Sequence, residues 1–278
     1  MKLGWIDLIK AKKRFGQNFL KDESVLQKII QAMPNDNLKV VEIGPGLGDL
    51  TKRLLQKCEK ITAFEIDLEL CGYLQKRFSD EIEQKQLELV CDDILKQWSQ
   101  DAPLVDENYH LVANLPYYIA TNLILKALDD KKCQTIIVMI QKEVALKFSS
   151  RAGEKNFSAL SILADSVAYT ETLFDVSSEC FEPAPKVTSA VLKLTKFSNY
   201  LDEDIEKALF ENQKELNDFK SFLKVAFSAP RKTLMKNLGQ IVKKDDLIKY
   251  FEDLEIEAKL RPHQLKSDKY HLLFKKLK

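Results

Sequence analysis

Apolar residues along this chain fall into two alternating rhythms. Val25, Leu26, Ile29, Ile30 and Met33 recur at helical spacing, which predicts a helix capped by Asp22 or Ser24 and closed by Pro34-Asn35. The run from Leu38 to Ile43 reads as a buried strand that stops at Gly44-Pro45-Gly46-Leu47-Gly48. Leu50, Leu54 and Leu55 then mark one face of a helix. The alternation repeats, with strands expected at 61–66, 87–91, 109–113 and 135–140 and helices at 68–78, 119–128 and 143–148. Strands alternating with helices predict a parallel sheet covered on both faces. Two later strands, 167–176 and 187–194, break the alternation and enclose Phe181-Glu182-Pro183-Ala184-Pro185-Lys186. Antiparallel pairing of these two at the sheet edge is expected, so the fold class is α/β with a mixed, mostly parallel sheet. From about Asp202 the pattern is helical to the end. The expected domains are 1–198, opening on a basic arm at 1–21, and a small all-helical domain at 199–278.

Composition narrows the function classes. The chain has 278 residues, enough to bury a full core without staples. Five cysteines, Cys58, Cys71, Cys91, Cys133 and Cys180, form no CxxC pair. That argues against a disulfide framework or a zinc site and for a reducing compartment. Neither a secretion signal nor a run of about 20 apolar residues is seen, so a cytoplasmic protein without a membrane partner is expected. The net charge of +1 hides an asymmetry. Residues 1–21 carry six basic side chains against one acidic, and residues 219–278 carry 15 against 7. Basic ends around an acidic middle suggest that a polyanion touches both ends.

The glycine cluster has the spacing GxGxG, with Glu42 just before it and Pro45 inside it. Glycines at the end of a first strand let the backbone turn tightly and approach a ligand. The departure from the dinucleotide spacing fits a cofactor without a pyrophosphate, such as S-adenosylmethionine. An acidic Glu42 can face its cationic tail, whereas it would repel phosphates. Glu65 stands 21 positions after Gly44, where an acid typically bonds ribose hydroxyls, and Ile66 follows it. Asp93 ends the third strand and is placed to accept from the cofactor's adenine amine.

The fourth strand ends in Asn114-Leu115-Pro116-Tyr117. An adenine exocyclic amine is a poor nucleophile because its lone pair is delocalised into the ring. It needs hydrogen-bond acceptors on its N–H groups, and the Asn114 side-chain carbonyl and the Leu115 backbone carbonyl can supply them. Pro116 stiffens the turn and offers no competing donor. Tyr117 can stack on the target base, a contact worth about 1–3 kcal/mol. Transfer by in-line displacement then depends on positioning and needs no metal.

With these residues in place, the chain resembles the ribosomal RNA adenine dimethyltransferases over nearly its whole length. The family's first signature looks like Lys13-Arg14-Phe15-Gly16-Gln17-Asn18-Phe19-Leu20. The resemblance implies a Rossmann-like methyltransferase fold and assigns Gln17, Asn18, Leu20, Gly44, Pro45, Gly46, Glu65, Asp93 and Asn114 to S-adenosylmethionine. It makes Asn114 to Tyr117 the catalytic tetrapeptide and Phe181 a second aromatic on the target base. It implies RNA contacts from Lys12, Lys13 and Arg14 and from Arg231 and Lys232. The implied substrate is two adjacent adenines near the 3′ end of small-subunit ribosomal RNA, within a partly assembled 30S particle. A monomer is expected, and an added role in subunit maturation. Tyr118 departs from the asparagine common in the family, and Ala120 from its serine. Ala229-Pro230 precedes Arg231 where the family often has another arginine.

Three other readings compete. A large-subunit adenine methylase of the antibiotic-resistance type shares both motifs, but its helical tail is less like Ala226–Leu234. A DNA adenine methyltransferase commonly has Pro-Pro in the tetrapeptide, against Leu115. A ribosome-assembly factor without turnover would not need Asn114 and Tyr117 intact.

Overall fold

The structure is a computed structural model and describes residues 11–99, 102–198 and 209–278. Its strands are β1 (Phe19–Leu20), β2 (Lys39–Ile43), β3 (Ile61–Phe64), β4 (Leu87–Val90), β5 (Tyr109–Asn114), β6 (Cys133–Gln141), β7 (Ala168–Val176), β8 (Phe181–Glu182) and β9 (Ser189–Lys196). Seven of them form one sheet in the order β4-β3-β2-β5-β6-β9-β7, and β1 pairs with β8 in a separate antiparallel ribbon. Pairing is parallel from β4 through β6, and β9 then runs antiparallel to β6. The expected mixed sheet is therefore present, and the two late strands are neighbours at its edge, the second lying between β6 and β7.

The inner parallel strands are buried on both faces, as continuous runs such as Val40-Val41 and Ile136 to Ile140 require. Helices supply the cover. Glu23–Ala32 begins on Asp22, whose carboxylate accepts from the Val25 amide at 3.0 Å, the expected cap. Its buried face (Val25, Leu26, Ile29) joins Leu50 and Leu54 of the helix Asp49–Lys57 in the core beside β2 and β3. Burying each such side chain contributes about 1.5–3 kcal/mol.

The described residues pack as two compact units. One holds residues 11–145 and 171–196, the other Leu146–Thr170 and the described residues from Phe197 on. By packing, then, 146–170 group with the tail, although sequence order puts them in the first expected domain. This segment includes the helix Ala159–Val167, which the apolar pattern did not reveal. Ser161, Ile162, Leu163, Ala164, Ser166 and Val167 are all buried, so no polar stripe marks a helical period. The expected boundary at 198/199 adjoins residues 199–208, which lie outside those described.

The second unit is centred on aromatic rings. Phe219 stacks on His271 with centroids 4.5 Å apart and meets Phe274 edge-on. Burial pushes the His271 imidazole down to about 4, so the ring is neutral, and its Nε2 lies 2.9 Å from the Ser166 hydroxyl. Asn237 donates its amide to the carbonyls of Ala226 and Ala229, satisfying backbone acceptors past the helix Gln213–Ala226.

The cysteine spacing argued against a disulfide framework and for a reducing compartment; one bridge is nevertheless present, from Cys71 in the helix Leu68–Arg77 to Cys91 just past β4, with Cα atoms 6.0 Å apart. It is a single bridge, not a framework; Cys58, Cys133 and Cys180 are free. Adjacent parallel strands bring residues 20 apart together here, which spacing alone does not reveal. Among the described residues no cluster of potential metal ligands occurs, and no helix is long and apolar enough to cross a membrane.

Candidate active site

Strand order reverses at β2, whose neighbours β3 and β5 lead away in opposite directions. The carboxyl ends of the strands diverge at such a point and leave a crevice for ligands. A cavity of about 180 Å³ lies there. Its lining comes from the turn after β2, the ends of β3 and β5, the turn after β4, and the segment Phe15–Leu20. Fourteen of the residues singled out from sequence meet in it: Gln17, Asn18, Leu20, Glu42, Gly44, Pro45, Gly46, Glu65, Ile66, Asp93, and Asn114 to Tyr117.

The glycine turn is shaped for close approach. Gly46 sits at φ +59°, and a Cβ there would come within 3.0 Å of the Phe19 ring. Any side chain would thus push the Phe15–Leu20 wall away from the turn. The Gly46 amide donates to one Glu65 carboxylate oxygen at 3.2 Å, and the Asp67 amide donates to the other at 2.9 Å. Burial nevertheless pushes the Glu65 carboxyl above its usual range, against those two amides. Glu42 is buried at 1% exposure, with the Thr51 hydroxyl donating to it at 2.7 Å. Burial pushes its carboxyl up to about 8, opposed by Thr51 and reinforced by the charge of Glu65. Asp93 accepts from the Leu95 amide at 2.9 Å, so it also caps the short helix Ile94–Gln97.

This donor set fits S-adenosylmethionine. Carboxylates at the ends of three adjacent strands suit the ribose hydroxyls, the adenine amine and a cationic tail, and they would repel a pyrophosphate. The glycine turn is the cradle that a Cβ would fill.

The tetrapeptide is fixed from several sides. The Asn114 amide nitrogen donates to the Asn18 backbone carbonyl at 3.0 Å. A carbonyl can only accept, so this bond determines which way the amide faces and leaves its oxygen as the available acceptor. The Leu115 amide donates to the Met139 carbonyl of β6. Tyr117 lies half-buried, its hydroxyl 2.7 Å from that of Ser189 on β9. Tyr118, the departure from the family pattern, is 62% exposed and presents its ring to Gly16 at the cavity wall.

Two expected contacts, Phe181 and Lys12, sit elsewhere. Phe181 does not line the cavity. It is 5% exposed, its backbone pairs with Leu20, and its ring belongs to the core with Val25 and Leu26. Bringing that ring out would cost about 1.5–3 kcal/mol of burial as well as the β1–β8 pairing. Its place is to hold Leu20 against the core. Lys12, expected on RNA, has its ammonium 2.7 Å from both Asp67 and Glu69. Gln17 lines the cavity, but its amide is engaged within the protein, accepting from the Lys12 amide at 2.7 Å and donating to Asp67 at 3.1 Å. Arg14 is exposed, with its guanidinium 4.6 Å from the Phe15 ring centroid, and Arg231 and Lys232 are exposed in the second unit. The Lys13 side chain and the basic residues before Ala11 lie outside those described.

Sequence reasoning missed Asp67, Thr51 and Ser189. Glu65-Ile66-Asp67 directly before a helix was the available signal for Asp67. Ser189 is 72 residues from the ring it holds and carried no local signal.

A family model described as ribosomal RNA adenine dimethylase matches residues 8–278. A protein of Campylobacter concisus named ribosomal RNA small subunit methyltransferase A is 54% identical, over 96% of this chain and 94% of its own. One of the same name from Campylobacter curvus is 51% identical, over 98% and 93%. Among solved structures, a dimethyladenosine transferase from Plasmodium falciparum superposes with a TM-score of 0.73 at 24% identity, covering 92% of this chain and 95% of that one. The 23S rRNA methyltransferase ErmE superposes with a TM-score of 0.71 at 23% identity, covering 94% and 99%. Both are similar in fold.

Proposed function

The chain belongs to the ribosomal RNA adenine dimethylase family, and from that premise we propose that it dimethylates the exocyclic amines of two adjacent adenines in small-subunit ribosomal RNA. It is an S-adenosylmethionine-dependent methyltransferase. Bound S-adenosylmethionine supplies an electrophilic methyl group on a sulfonium. The observation that carries the reading is Asn114, whose amide nitrogen is tied to Asn18 so that its carbonyl is left to accept from the target amine.

The residues divide the work. Glu65 accepts from the cofactor's ribose and Asp93 from its adenine amine, with Gly44 to Gly46 giving the backbone close approach. Glu42 meets the cationic tail. The Asn114 and Leu115 carbonyls draw on the N–H groups of the target adenine and localise its lone pair. Pro116 keeps the turn rigid, and Tyr117, held by Ser189, receives the unstacked base. A base leaves its helix at a cost of a few kcal/mol, and stacking returns about 1–3 kcal/mol of that. The tail from residue 209 on, with Arg231 and Lys232, grips RNA phosphates and selects the substrate. A partly assembled small subunit is the favoured substrate, because RNA shape must be read as well as sequence. The protein acts as a monomer in the cytoplasm, where subunits mature.

The large-subunit reading is less well supported. ErmE shares the fold at 23% identity, whereas the relatives at 51–54% identity carry the small-subunit name. The test is incubation with labelled S-adenosylmethionine and unmethylated small subunits, with large subunits and duplex DNA in parallel, and product mapping by mass spectrometry. Dimethyladenosine near the 3′ end of the small-subunit RNA is expected. Asn114→Ala should lower transfer by about 10²–10³-fold, the loss of one preorganised dipole. Label confined to large-subunit RNA would overturn the proposal.

A further inference from the structure

Residues 15–20 form one wall of the cavity, and the segment 12–20 is held at both ends by side-chain contacts, those at its Lys12 end having no role in the reading above. At one end Asn18 is held by Asn114, and Leu20 by its pairing with Phe181. At the other end everything converges on Asp67. Its side chain is 4% exposed. One carboxylate oxygen accepts from the Lys12 ammonium at 2.7 Å, the other from the Gln17 amide at 3.1 Å. Gln17 in turn accepts from the Lys12 backbone amide, closing a small network between the wall and the head of the helix Leu68–Arg77. The Asp67 amide also donates to Glu65, the acid at the end of β3.

A buried carboxylate with an ammonium on it differs from a surface ion pair. Removing one partner leaves an uncompensated charge, so the pair holds its two segments together firmly. Burial raises the Asp67 carboxyl, and the bonds from Lys12, Gln17 and the Glu69 amide outweigh it and hold the group below the usual range. Within the wall Gly16 sits at φ +61°, a backbone state that L side chains rarely adopt.

We infer that Asp67 is a positioning residue that latches the segment 12–18 over the cofactor pocket through Lys12 and Gln17, and that this latch sets how fast the spent cofactor leaves. The inference rests on the cofactor reading of the cavity. It also reassigns Lys12 from RNA phosphate to the latch. Each turnover converts the sulfonium cofactor into its thioether, S-adenosylhomocysteine, which must leave before the second methyl is transferred. A wall tied to the segment that carries the ribose acid must release for that exchange.

The test is the dissociation rate of S-adenosylhomocysteine from the full chain, measured in the absence of RNA by displacement with excess S-adenosylmethionine. Asp67→Asn keeps a helix-capping acceptor but removes the charge. It should release the product about 10-fold faster, as expected for losing a charge-assisted bond. Lys12→Met, on a partly exposed side chain, should accelerate release in the same direction, and Lys12→Arg should restore the slow rate. Asp67→Asn with Lys12→Met together should be no faster than Asp67→Asn alone. Unchanged release in Asp67→Asn, or independent additive effects, would overturn the latch while leaving the pocket assignment intact. Failure of the unaltered protein to bind either cofactor form would overturn the pocket assignment and the latch with it.

Discussion

The pocket and the helical tail both carry charge, and they hold it in opposite ways. Around the cavity, charged and polar groups are buried and bonded to one another: Glu42 to Thr51, Glu65 to two amides, Asp67 to Lys12 and Gln17. In the tail, Arg231 and Lys232 stand exposed on a loop before the helix Leu234–Leu238. The difference follows from what each region meets. A small cofactor of fixed shape rewards groups held in place in advance. A polyanion many times larger rewards mobile cations that neutralise phosphates and release counterions. Substitutions in the pocket should therefore be sharp and specific, and substitutions in the tail shallow and dependent on salt.

The widest gap between the regions should come from Tyr117. Tyr117→Ala removes the stacking face and should lower transfer by about 10–100-fold. Ser189→Ala leaves the ring in place and removes only its tether, so a loss of about 5-fold is expected, in kcat more than in cofactor affinity. Single-turnover transfer to small subunits would read both. Equal losses from the two variants would mean that Ser189 supports the strand rather than the ring, and would blur the contrast between a preorganised pocket and an adaptable tail.

How far the chain was legible in advance follows the same divide. The glycine turn, Glu65, Asp93 and Asn114 to Tyr117 could be read because strand ends fix where such residues must gather. The parallel half of the sheet was visible in its buried apolar runs. Contacts set by tertiary packing were not. Phe181 lies in the expected segment, but sequence does not say which face its ring takes, and the ring chose the core. Lys12 looked like one more basic residue of an RNA-binding arm, because nothing local reveals Asp67 and Glu69 across from it, 55 and 57 positions later. The helix Ala159–Val167 hid because it is apolar nearly all round.

Glu42 offers a pH test of the buried side of the comparison. Its carboxyl is pushed up to about 8 by burial, so at pH 7 it is mostly protonated in the folded protein. A cation in the pocket favours the ionised form, so cofactor affinity should strengthen as pH rises toward and through that value. The expected gain is about tenfold from pH 7 to pH 9, by proton linkage. Dividing the parent's curve by that of Glu42→Gln cancels the cofactor's own titration and isolates this group. The stability effect has the opposite sense. A carboxyl raised above its unfolded value disfavours the folded state increasingly as pH rises from about 4 to 8, so Glu42→Gln should raise Tm most at pH 8 and above. Each kcal/mol recovered should appear as about 2–4 °C. A flat affinity ratio across this range would separate Glu42 from the cationic tail and leave Thr51 as its only assigned partner.

The smallest effect at ordinary salt belongs to the tail, and its form matters more than its size. Arg231→Ala and Lys232→Ala should each weaken binding to small-subunit RNA, and each should reduce the slope of log affinity against log salt by about 1. Cofactor affinity should stay unchanged in both. Lys12→Met should do the reverse, changing cofactor release and leaving the salt slope alone, because its ammonium is already committed to two carboxylates. Binding titrations between about 50 and 200 mM salt span the range in which phosphate contacts lose most of their strength. If Lys12→Met lowers the slope as much as Arg231→Ala does, the ammonium leaves Asp67 when RNA arrives. The latch would then be opened by the substrate itself, and the line between the buried charges and the exposed ones would be crossed at that residue.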